Sequence, residues 1–453
     1  MGEAPDAAGA PEPRFRRAGG LNASEAVLAA LSDRAFLSLW SYPNVYKEPG
    51  KELTDLLVVF GDDVILFSDK ACAYPENVAE DLAWRRWYRR AIAKSAHQIH
   101  QAERWLRANP ERLFLDARCT DRVPIALPPP DRLRLHRVCV ATGAAAHRQA
   151  AVGQPSLAID FGVEGDAAPM RIGRVAEAPG GLLHIFDESS LTTLFEELDT
   201  APDFIGYLRA KEALAEAGAW RGAESELDVL AIYLWNNRSF PAQAGAFVFQ
   251  PNMWAQVVAE PAFRNGKQAN GVSAFWDRLI ELVNGFYVAQ TLEYGNDVDI
   301  GPYEFMMRCM AAEPRFQRRV LSDLILERAE RAREGWVGSC LPSSDPAVMY
   351  VTLIGPGPEP GGDRDAYRRR RTVELYARCQ SAKVVNPHVQ LFIGLGLDAR
   401  GVLPSSQDFL YFDTSDWTEV EMAEARAVQA RTGYFDAARA QVRRVQADEY
   451  PQA

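Results

Sequence analysis

The stretch KELTDLLVVFGDDVILFSDK, residues 51–70, constrains the fold more than any other part of the chain. Two apolar runs flank a Gly-Asp-Asp turn, and a Gly-Asp turn between apolar runs is typical of a β-hairpin. We therefore predict two antiparallel strands over 54–60 and 64–70. Antiparallel pairing places the start of the first strand beside the end of the second. Asp55 and Lys70 are therefore expected to be neighbours in space.

Charged side chains stand at the open end of this apolar hairpin. Glu52 and Asp55 lie where it begins, and Lys70 lies where it ends. Carboxylate oxygens are ligands that Mg²⁺ prefers, and a bound metal polarises a phosphate and lowers the pKa of its water. A nearby ammonium can position that water or stabilise charge in the transition state. The pattern predicts a site for metal-dependent phosphodiester hydrolysis, with Mg²⁺ or Mn²⁺ on Glu52 and Asp55.

A long helix is predicted over 79–107, shortly after the hairpin. Four of its polar residues fall at successive i+4 positions, away from the apolar face: Arg86, Arg90, Lys94 and Gln98. A basic row beside a metal site suits the phosphate backbone of a nucleic acid. The alternative is an ordinary solvated helix face above packed tryptophans, and it stays open.

These residues resemble the pattern of the PD-(D/E)xK, or restriction-endonuclease-like, nuclease superfamily. In that pattern a helix carries a glutamate, an aspartate opens a hairpin, and an acid-x-lysine closes the hairpin. The next helix carries basic and glutamine residues. The resemblance assigns Glu52 as the helix glutamate, Asp55 as the metal-binding aspartate and Lys70 as the catalytic lysine. It assigns Lys94 and Gln98 to the polar positions of the following helix.

One position departs from the family pattern. The third acid should lie two residues before the lysine, where this chain has Ser68. Asp69 is acidic, but it is expected to point to the opposite face of the strand unless a β-bulge turns it. In one interpretation the other residues hold the metal, with help from Ser68 or Asp69. In the other, the site is inactive and the module only binds nucleic acid or a partner protein.

The order of helices and strands predicts an α/β fold, and the resemblance implies a restriction-endonuclease-like α-β-β-α-β core. We place this core at 21–150, after a disordered tail over 1–20. A linker or irregular region over 151–181 leads to a larger mixed α/β region, 182–453. This region is expected to serve recognition, regulation or oligomerisation, with itself or with a protein partner. The resemblance further implies an endonuclease that acts on DNA in preference to RNA, in repair or antiviral defence.

Composition restricts the setting in which the chain works. The 453 residues carry a net charge of −11, so a site for a polyanion must be a local patch. The six cysteines include no CxxC pair, which favours free thiols in a reducing cytosol. No apolar run reaches the ~18 residues that a membrane span needs. No GxxxxGK[ST] or GxSxG motif is present, which argues against ATP-driven chemistry and against an α/β-hydrolase triad.

Overall fold

The computed structural model describes residues 11–175, 180–242, 245–436, 438, 442 and 446–451. Helices and strands are mixed along the chain, so the predicted α/β class is confirmed. The chain divides into two compact units. The first runs to Phe263 and also includes Leu279–Ala312, and the second comprises Arg264–Arg278 and the chain from Glu313.

The first unit begins with the elements that build its main sheet. They are α1 (Ala23–Phe36), β1 (Ser41–Glu48), β2 (Lys51–Phe60), β3 (Asp63–Ala71), α2 (Glu80–Tyr88), a π-helical turn (Arg89–Ala93), α3 (Lys94–Ala108) and β4 (Arg134–Thr142). The elements that follow are α4 (Ala145–Val152), β5 (Ala158–Glu164), β6 (Arg171–Arg174), β7 (Leu183–Phe186), α5 (Glu188–Glu197), α6 (Ala201–Glu216), β8 (Trp220–Ala223), α7 (Glu226–Trp235), β9 (Phe247–Val248) and α8 (Met253–Ala259).

The main sheet has the strand order β1-β2-β3-β4-β7. Its first three strands are antiparallel neighbours, whereas β3, β4 and β7 run parallel. Helices cover both faces. The Phe67 ring lies 6.3 Å from the ring of Phe195 in α5, and the hydroxyl of the next residue, Ser68, contacts Ser95 in α3. Successive side chains of a strand point to opposite faces, so α5 and α3 lie on opposite sides of the sheet.

The predicted α-β-β-α-β order was wrong by one strand, because β1 pairs with β2 ahead of the hairpin. The sequence of β1, SYPNVYKE, includes Pro43 and Asn44, residues that are depleted in strands. An edge strand tolerates proline, and β1 is the outer strand of this sheet. Asn44 has a φ of 52°, a left-handed conformation that asparagine adopts more readily than most residues. Tertiary pairing overrides local preference here.

The predicted long helix is present as α2 and α3, joined without a break by the π-helical turn. Its buried residues come in pairs spaced four apart, beginning at Ala83 and Trp84 and reaching Ser95 and Ala96. A repeat of four drifts about 40° per step around a helix of 3.6 residues per turn. The wider π turn takes up part of this drift, and the buried pairs stay against the sheet.

A small second sheet in the first unit has the order β6-β5-β8-β9. Strands β5 and β6 lie within 151–181, where we predicted a linker, and β7 joins the main sheet. The stretch is rich in Gly and Ala, which hides its short strands from a pattern search. Of the tail predicted over 1–20, residues 1–10 lie outside the described part. Phe15 is buried and Arg14 Nε donates to the Tyr287 carbonyl (3.0 Å), so the described part of this tail is packed.

The remaining elements form the second unit and the helices that connect it with the first in the sequence. They are α9 (Pro261–Ala269), a 3₁₀ turn (Asn270–Ser273), α10 (Ala274–Val288), α11 (Ile300–Ala311), α12 (Arg315–Arg331), β10 (Val337–Pro342), β11 (Val348–Gly355), α13 (Arg364–Val385), β12 (Leu391–Asp398), β13 (Gln407–Asp413) and α14 (Glu419–Thr432). The second unit has one four-stranded sheet in the order β10-β11-β12-β13. Helix α13 connects the parallel strands β11 and β12 and buries Leu375 and Cys379 against them. Among the described helices, none combines the length and the apolar character that crossing a membrane requires.

Candidate active site

The open end of the β2–β3 hairpin is held together by side chains. Backbone pairing ends at Leu56 and Phe67. Beyond that pair, Thr54 Oγ1 donates to the Phe67 carbonyl (2.6 Å). The backbone N–H of Asp69 donates to Asp55 Oδ2 (2.5 Å). Side-chain oxygens thus replace the next rungs of the ladder, and the Asp55 carboxylate is fixed between the two strands.

Lys70 completes this arrangement. Its Nζ donates to Asp55 Oδ2 (3.2 Å) and to the Asp69 carbonyl (3.0 Å). The side chains of Lys70 and Asp55 are 19% and 12% exposed, so the pair is largely shielded from water. The predicted proximity of Asp55 and Lys70 is confirmed. It follows from the antiparallel register that the turn imposes.

The structure corrects the place of Glu52. The family pattern led us to assign it as a helix glutamate, but Glu52 lies in β2, one residue after the strand begins. The acid that a helix supplies is Glu25, in the first turn of α1. Asn44 joins the two acids: its Nδ2 donates to Glu52 Oε1 (2.8 Å) and to Glu25 Oε2 (2.9 Å).

Sequence reasoning missed both Glu25 and Asn44. A signal for Glu25 exists, because Asn22 and Glu25 have the spacing of a helix N-cap with its third residue, and the Asn22 side chain does accept from the Glu25 N–H. That spacing predicts a glutamate in the first turn of α1. It does not predict that this turn lies beside the hairpin, which depends on how α1 packs. For Asn44 we find no signal in the sequence.

Ser68 and Asp69 lie on opposite faces of β3, as predicted. Ser68 Oγ contacts Ser95 Oγ (3.3 Å) and Gln98 Oε1 (3.4 Å) on the α3 side. Burial raises the pKa of Asp69, and the nearby Ser24 side chain of α1, on the other side, lowers it. Gln98 therefore borders the site, whereas the Asp69 carboxylate is reached from α1.

The predicted basic row is exposed along its whole length. It runs over α2, the π turn and α3, and comprises Arg86, Arg90, Lys94 and Gln98. Arg90 donates to the carbonyl of Ala73, just past the end of β3 (2.9 Å). This bond connects Arg90 with the strand that carries Lys70. Gln98 is connected with the same strand through its contact with Ser68. Arg86 and Lys94 are exposed, and among the described residues neither forms a hydrogen bond or ion pair with the hairpin.

Negative charge is concentrated at this end of the sheet. Glu52 has its pKa raised to about 7, first by burial and then by the charges of Asp55 and Glu25, against the hydrogen bond from Asn44 and the charge of Lys70. Burial also raises the pKa of Asp69, and the charges of Asp55 and Glu25 add to this effect. Carboxyl groups gathered around one lysine in a partly buried site are stabilised by a bound cation.

The oxygen donors at the site fit Mg²⁺ or Mn²⁺. Besides the carboxylates of Glu52 and Asp55, this end of the sheet offers two of the buried oxygens that have no hydrogen-bond partner among the described residues, Asn44 Oδ1 and Asp69 Oδ1. No group of three His, Cys, Asp or Glu residues is arranged as a metal-holding cluster in the described ranges. Magnesium is commonly held by one or two carboxylates, with waters and substrate phosphates as its other ligands. The donor set therefore fits an ion held by Glu52 and Asp55 rather than an all-protein cage.

Burial of Glu52 predicts a pH dependence of stability. Between pH 4.5, its ordinary pKa, and about 7, the folded chain keeps a proton at Glu52 that the unfolded chain has lost. The free energy of unfolding therefore falls as pH rises through this window. Glu52→Gln removes this loss, because Gln stays neutral and its Oε1 still accepts from Asn44. Urea unfolding in EDTA should show that the free energy of unfolding of the variant rises, relative to that of the wild type, between about pH 5 and pH 8.

The matched control is Glu111→Gln, a change at an exposed glutamate. It should leave the pH profile of the wild type unchanged. If the free energy of unfolding of the wild type and of Glu52→Gln depended on pH in the same way, the environment of Glu52 would not disfavour its charged form.

In comparisons with known proteins, no family model, no curated protein and no solved structure matches the chain. The functional assignment therefore depends on the residues of the site.

Proposed function

We propose that the chain is a metal-dependent nuclease whose active site is the open end of the β2–β3 hairpin. The observation that carries this proposal is the Asp55–Lys70 pair, 3.2 Å apart, beside the acids Glu52 and Glu25. A helix acid, a hairpin aspartate and a hairpin lysine, followed by a helix with Gln98, is the pattern of the PD-(D/E)xK superfamily that the sequence resembles. With Glu25 in place of Glu52 as the helix acid, the pattern is closer than the sequence alone suggested.

Each side chain of the site has a role in this proposal. Glu52 and Asp55 would hold Mg²⁺ or Mn²⁺. When bound, the ion supplies a polarised phosphate and a water of lowered pKa. Lys70 Nζ donates to Asp55, which would hold the ion, and to the Asp69 carbonyl, so its ammonium would be placed to position the attacking water and to stabilise charge that develops on the phosphate. The Asp69 N–H keeps Asp55 in the orientation that both partners need.

In this proposal the basic row binds the substrate. Arg86, Arg90 and Lys94 are exposed cations on a chain whose net charge is −11, so they form the local patch that a polyanion requires. Arg90, bonded at the end of β3, connects this patch with the catalytic end of the hairpin. We propose DNA as the favoured substrate, with a role in defence or repair. All six cysteines are free, which supports a cytoplasmic location.

Removing one cation of the row should weaken binding in a salt-dependent way. Arg86→Gln is expected to lower the slope of log K against log salt by about 0.9 for duplex DNA, because one phosphate contact and its released counterion are lost. Fluorescence anisotropy with labelled DNA at several salt concentrations measures this slope. The control is Arg132→Gln, which removes a 61%-exposed arginine at the turn end of the hairpin. Equal slopes for Arg86→Gln and Arg132→Gln would contradict a binding role for the row.

A cleavage panel tests the proposal as a whole. Plasmid DNA, single-stranded DNA and RNA are incubated with the full chain in Mg²⁺, in Mn²⁺ or in EDTA. We expect cutting of at least one substrate with a metal and none in EDTA, and the substrate that is cut fastest identifies the preferred nucleic acid. Cutting that persists in EDTA would contradict a metal-dependent mechanism.

One observation favours a second function, a nuclease fold that binds without cutting. The position of the family's third acid is occupied by Ser68, which is buried and bonded toward α3. A site without that acid has one anionic ligand fewer for a metal. If this second function is correct, the chain will bind nucleic acid in the anisotropy experiment but will cut none of the panel with either metal.

A further inference from the structure

A cavity of about 250 Å³ lies in the first unit, where the small sheet meets β7 of the main sheet. Its walls are mainly apolar and come from β5, β6, β7 and β8: Ile159, Phe161, Ile172, Leu183, Ile185 and Trp220. The cavity is partly open to solvent, so a small molecule can enter it. A partly open apolar cavity of this size is typical of a ligand site.

Three charged side chains border the same cavity: the exposed Arg174 at the end of β6, Lys211 of α6 and Glu226 at the start of α7. Lys211 and Glu226 are each only 3% exposed, and they form an ion pair. Glu226 also accepts from the Tyr207 hydroxyl (2.6 Å). In the described part of the chain Glu226 is the one hydrogen-bond acceptor of Lys211, although an ammonium has three N–H donors. The pair can therefore form further hydrogen bonds.

Neither feature is explained by stability. A buried ion pair usually contributes no more than apolar residues of the same volume, because both charges lose their hydration. The walls of a cavity lose the dispersion contacts that a filled core would give. Apolar walls with a few convergent polar groups are instead the composition of small-molecule sites. The two features therefore point to a bound ligand.

The chemistry of the lining defines the ligand. The two buried charges, Lys211 and Glu226, cancel, and the third charged lining residue, Arg174, is exposed to water. An uncharged molecule therefore fits the buried part of the cavity better than an ion. One of them donates and the other accepts, which matches an amide edge with a C=O and an N–H. Phe161 and Trp220 pack edge to face at 4.8 Å, and the Trp220 Nε1 is already bonded to the Gly222 carbonyl. The indole therefore presents apolar surface, which suits a flat ring.

We propose that this cavity binds a small, uncharged heteroaromatic ring with an amide edge, the carbonyl accepting from Lys211 and the N–H donating to Glu226. A cavity that admits benzene has about 150 Å³, and pockets for drug-sized molecules begin near 300 Å³, so one ring system is the size that fits. The proposal does not depend on nuclease activity. It adds a small-molecule site to the unit that contains the hairpin.

The test uses nicotinamide, uracil and hypoxanthine as probes, with benzene as a ring that lacks the amide edge. Binding to the full chain is followed by calorimetry and by the melting temperature. We expect at least one amide-edged ring to bind with one-to-one stoichiometry and to raise the melting temperature, and benzene to bind at least about 10-fold more weakly, a difference of ~1.4 kcal/mol.

Two variants tie binding to the cavity. The double change K211M/E226Q removes both charges together, so that neither is left unpaired, and it should weaken binding at least about 10-fold. Leu182→Trp adds bulk at a partly exposed lining residue and should block entry, whereas Val152→Trp, at a 57%-exposed position outside the lining, should not. The proposal is overturned if no amide-edged ring binds at concentrations up to about 1 mM, or if Leu182→Trp binds as well as Val152→Trp.

Discussion

Asp55→Asn is expected to reduce metal-dependent cleavage of nucleic acid by about 10²–10³-fold or more, the range seen when a preorganised electrostatic partner of a transition state is removed. The carboxylate is bonded to Lys70 Nζ and to the Asp69 N–H, and in our proposal it also holds the metal. Asn has the same shape and keeps an oxygen for the Asp69 N–H, but it lacks the charge. Initial rates of cutting, measured on the substrate that the wild type cuts fastest, give the effect.

The control for Asp55→Asn is Asp62→Asn, in the turn at the other end of the hairpin. Asp62 is 35% exposed and lies 3.6 Å from Arg132, so its loss should leave the rate near that of the wild type. Circular dichroism and melting temperature establish that both variants are folded. A folded Asp55→Asn protein that cuts at the wild-type rate would place the active site elsewhere.

Arg371→Met is expected to lower the free energy of unfolding of the second unit by about 3–5 kcal/mol, the usual cost of removing one partner of a buried ion pair. Arg371 is fully buried in α13 and donates to Asp408 Oδ2 (2.7 Å), to Ser406 Oγ (2.9 Å) and to Asp398. Asp398 is 1% exposed, so without the guanidinium its charge has no solvent to stabilise it. Methionine fills much of the volume of the arginine side chain, so the loss in the free energy of unfolding reports the removal of the charge.

Arg369→Met is the matched control for Arg371→Met. It lies two residues away in the same helix, is 63% exposed and stands 3.7 Å from Asp363. Exposed ion pairs contribute about 0–1 kcal/mol, so this change should be nearly neutral. Urea unfolding of both variants measures the difference. Similar losses in the two variants would mean that the buried network around Arg371 contributes little to the stability of the unit.

The hairpin could be predicted from the sequence because its determinants are local. The Gly-Asp-Asp turn fixes the register, and the register decides that Asp55 meets Lys70. The orientations of Ser68 and Asp69 follow in the same way from the alternation of side chains along a strand. Short-range rules were therefore sufficient to place Asp55, Ser68, Asp69 and Lys70, whereas Glu52, which the family pattern assigned to a helix, lies in β2.

The rest of the site depends on contacts between elements that are distant in the sequence. Glu25 reaches Glu52 only because α1 packs beside β2, with Asn44 of an unpredicted strand bonded between them. The run of arginines at 368–371 looks like a solvated helix start, yet Arg371 is buried. It lies four and eight residues before Leu375 and Cys379, on the face of α13 that packs against the sheet. That spacing was visible in the sequence, but the acids that compensate the buried charge follow far downstream.

The most direct test of the proposed active site compares the rates of Mg²⁺-dependent DNA cleavage by the wild type and by Lys70→Ala, with a Mn²⁺-binding titration of both proteins. Lys70 acts on the water and the phosphate in our proposal, whereas Glu52 and Asp55 hold the ion. We predict that Lys70→Ala binds Mn²⁺ like the wild type and cuts at least about 10²-fold more slowly. Equal cleavage rates for the two proteins would contradict an active site at the end of this hairpin.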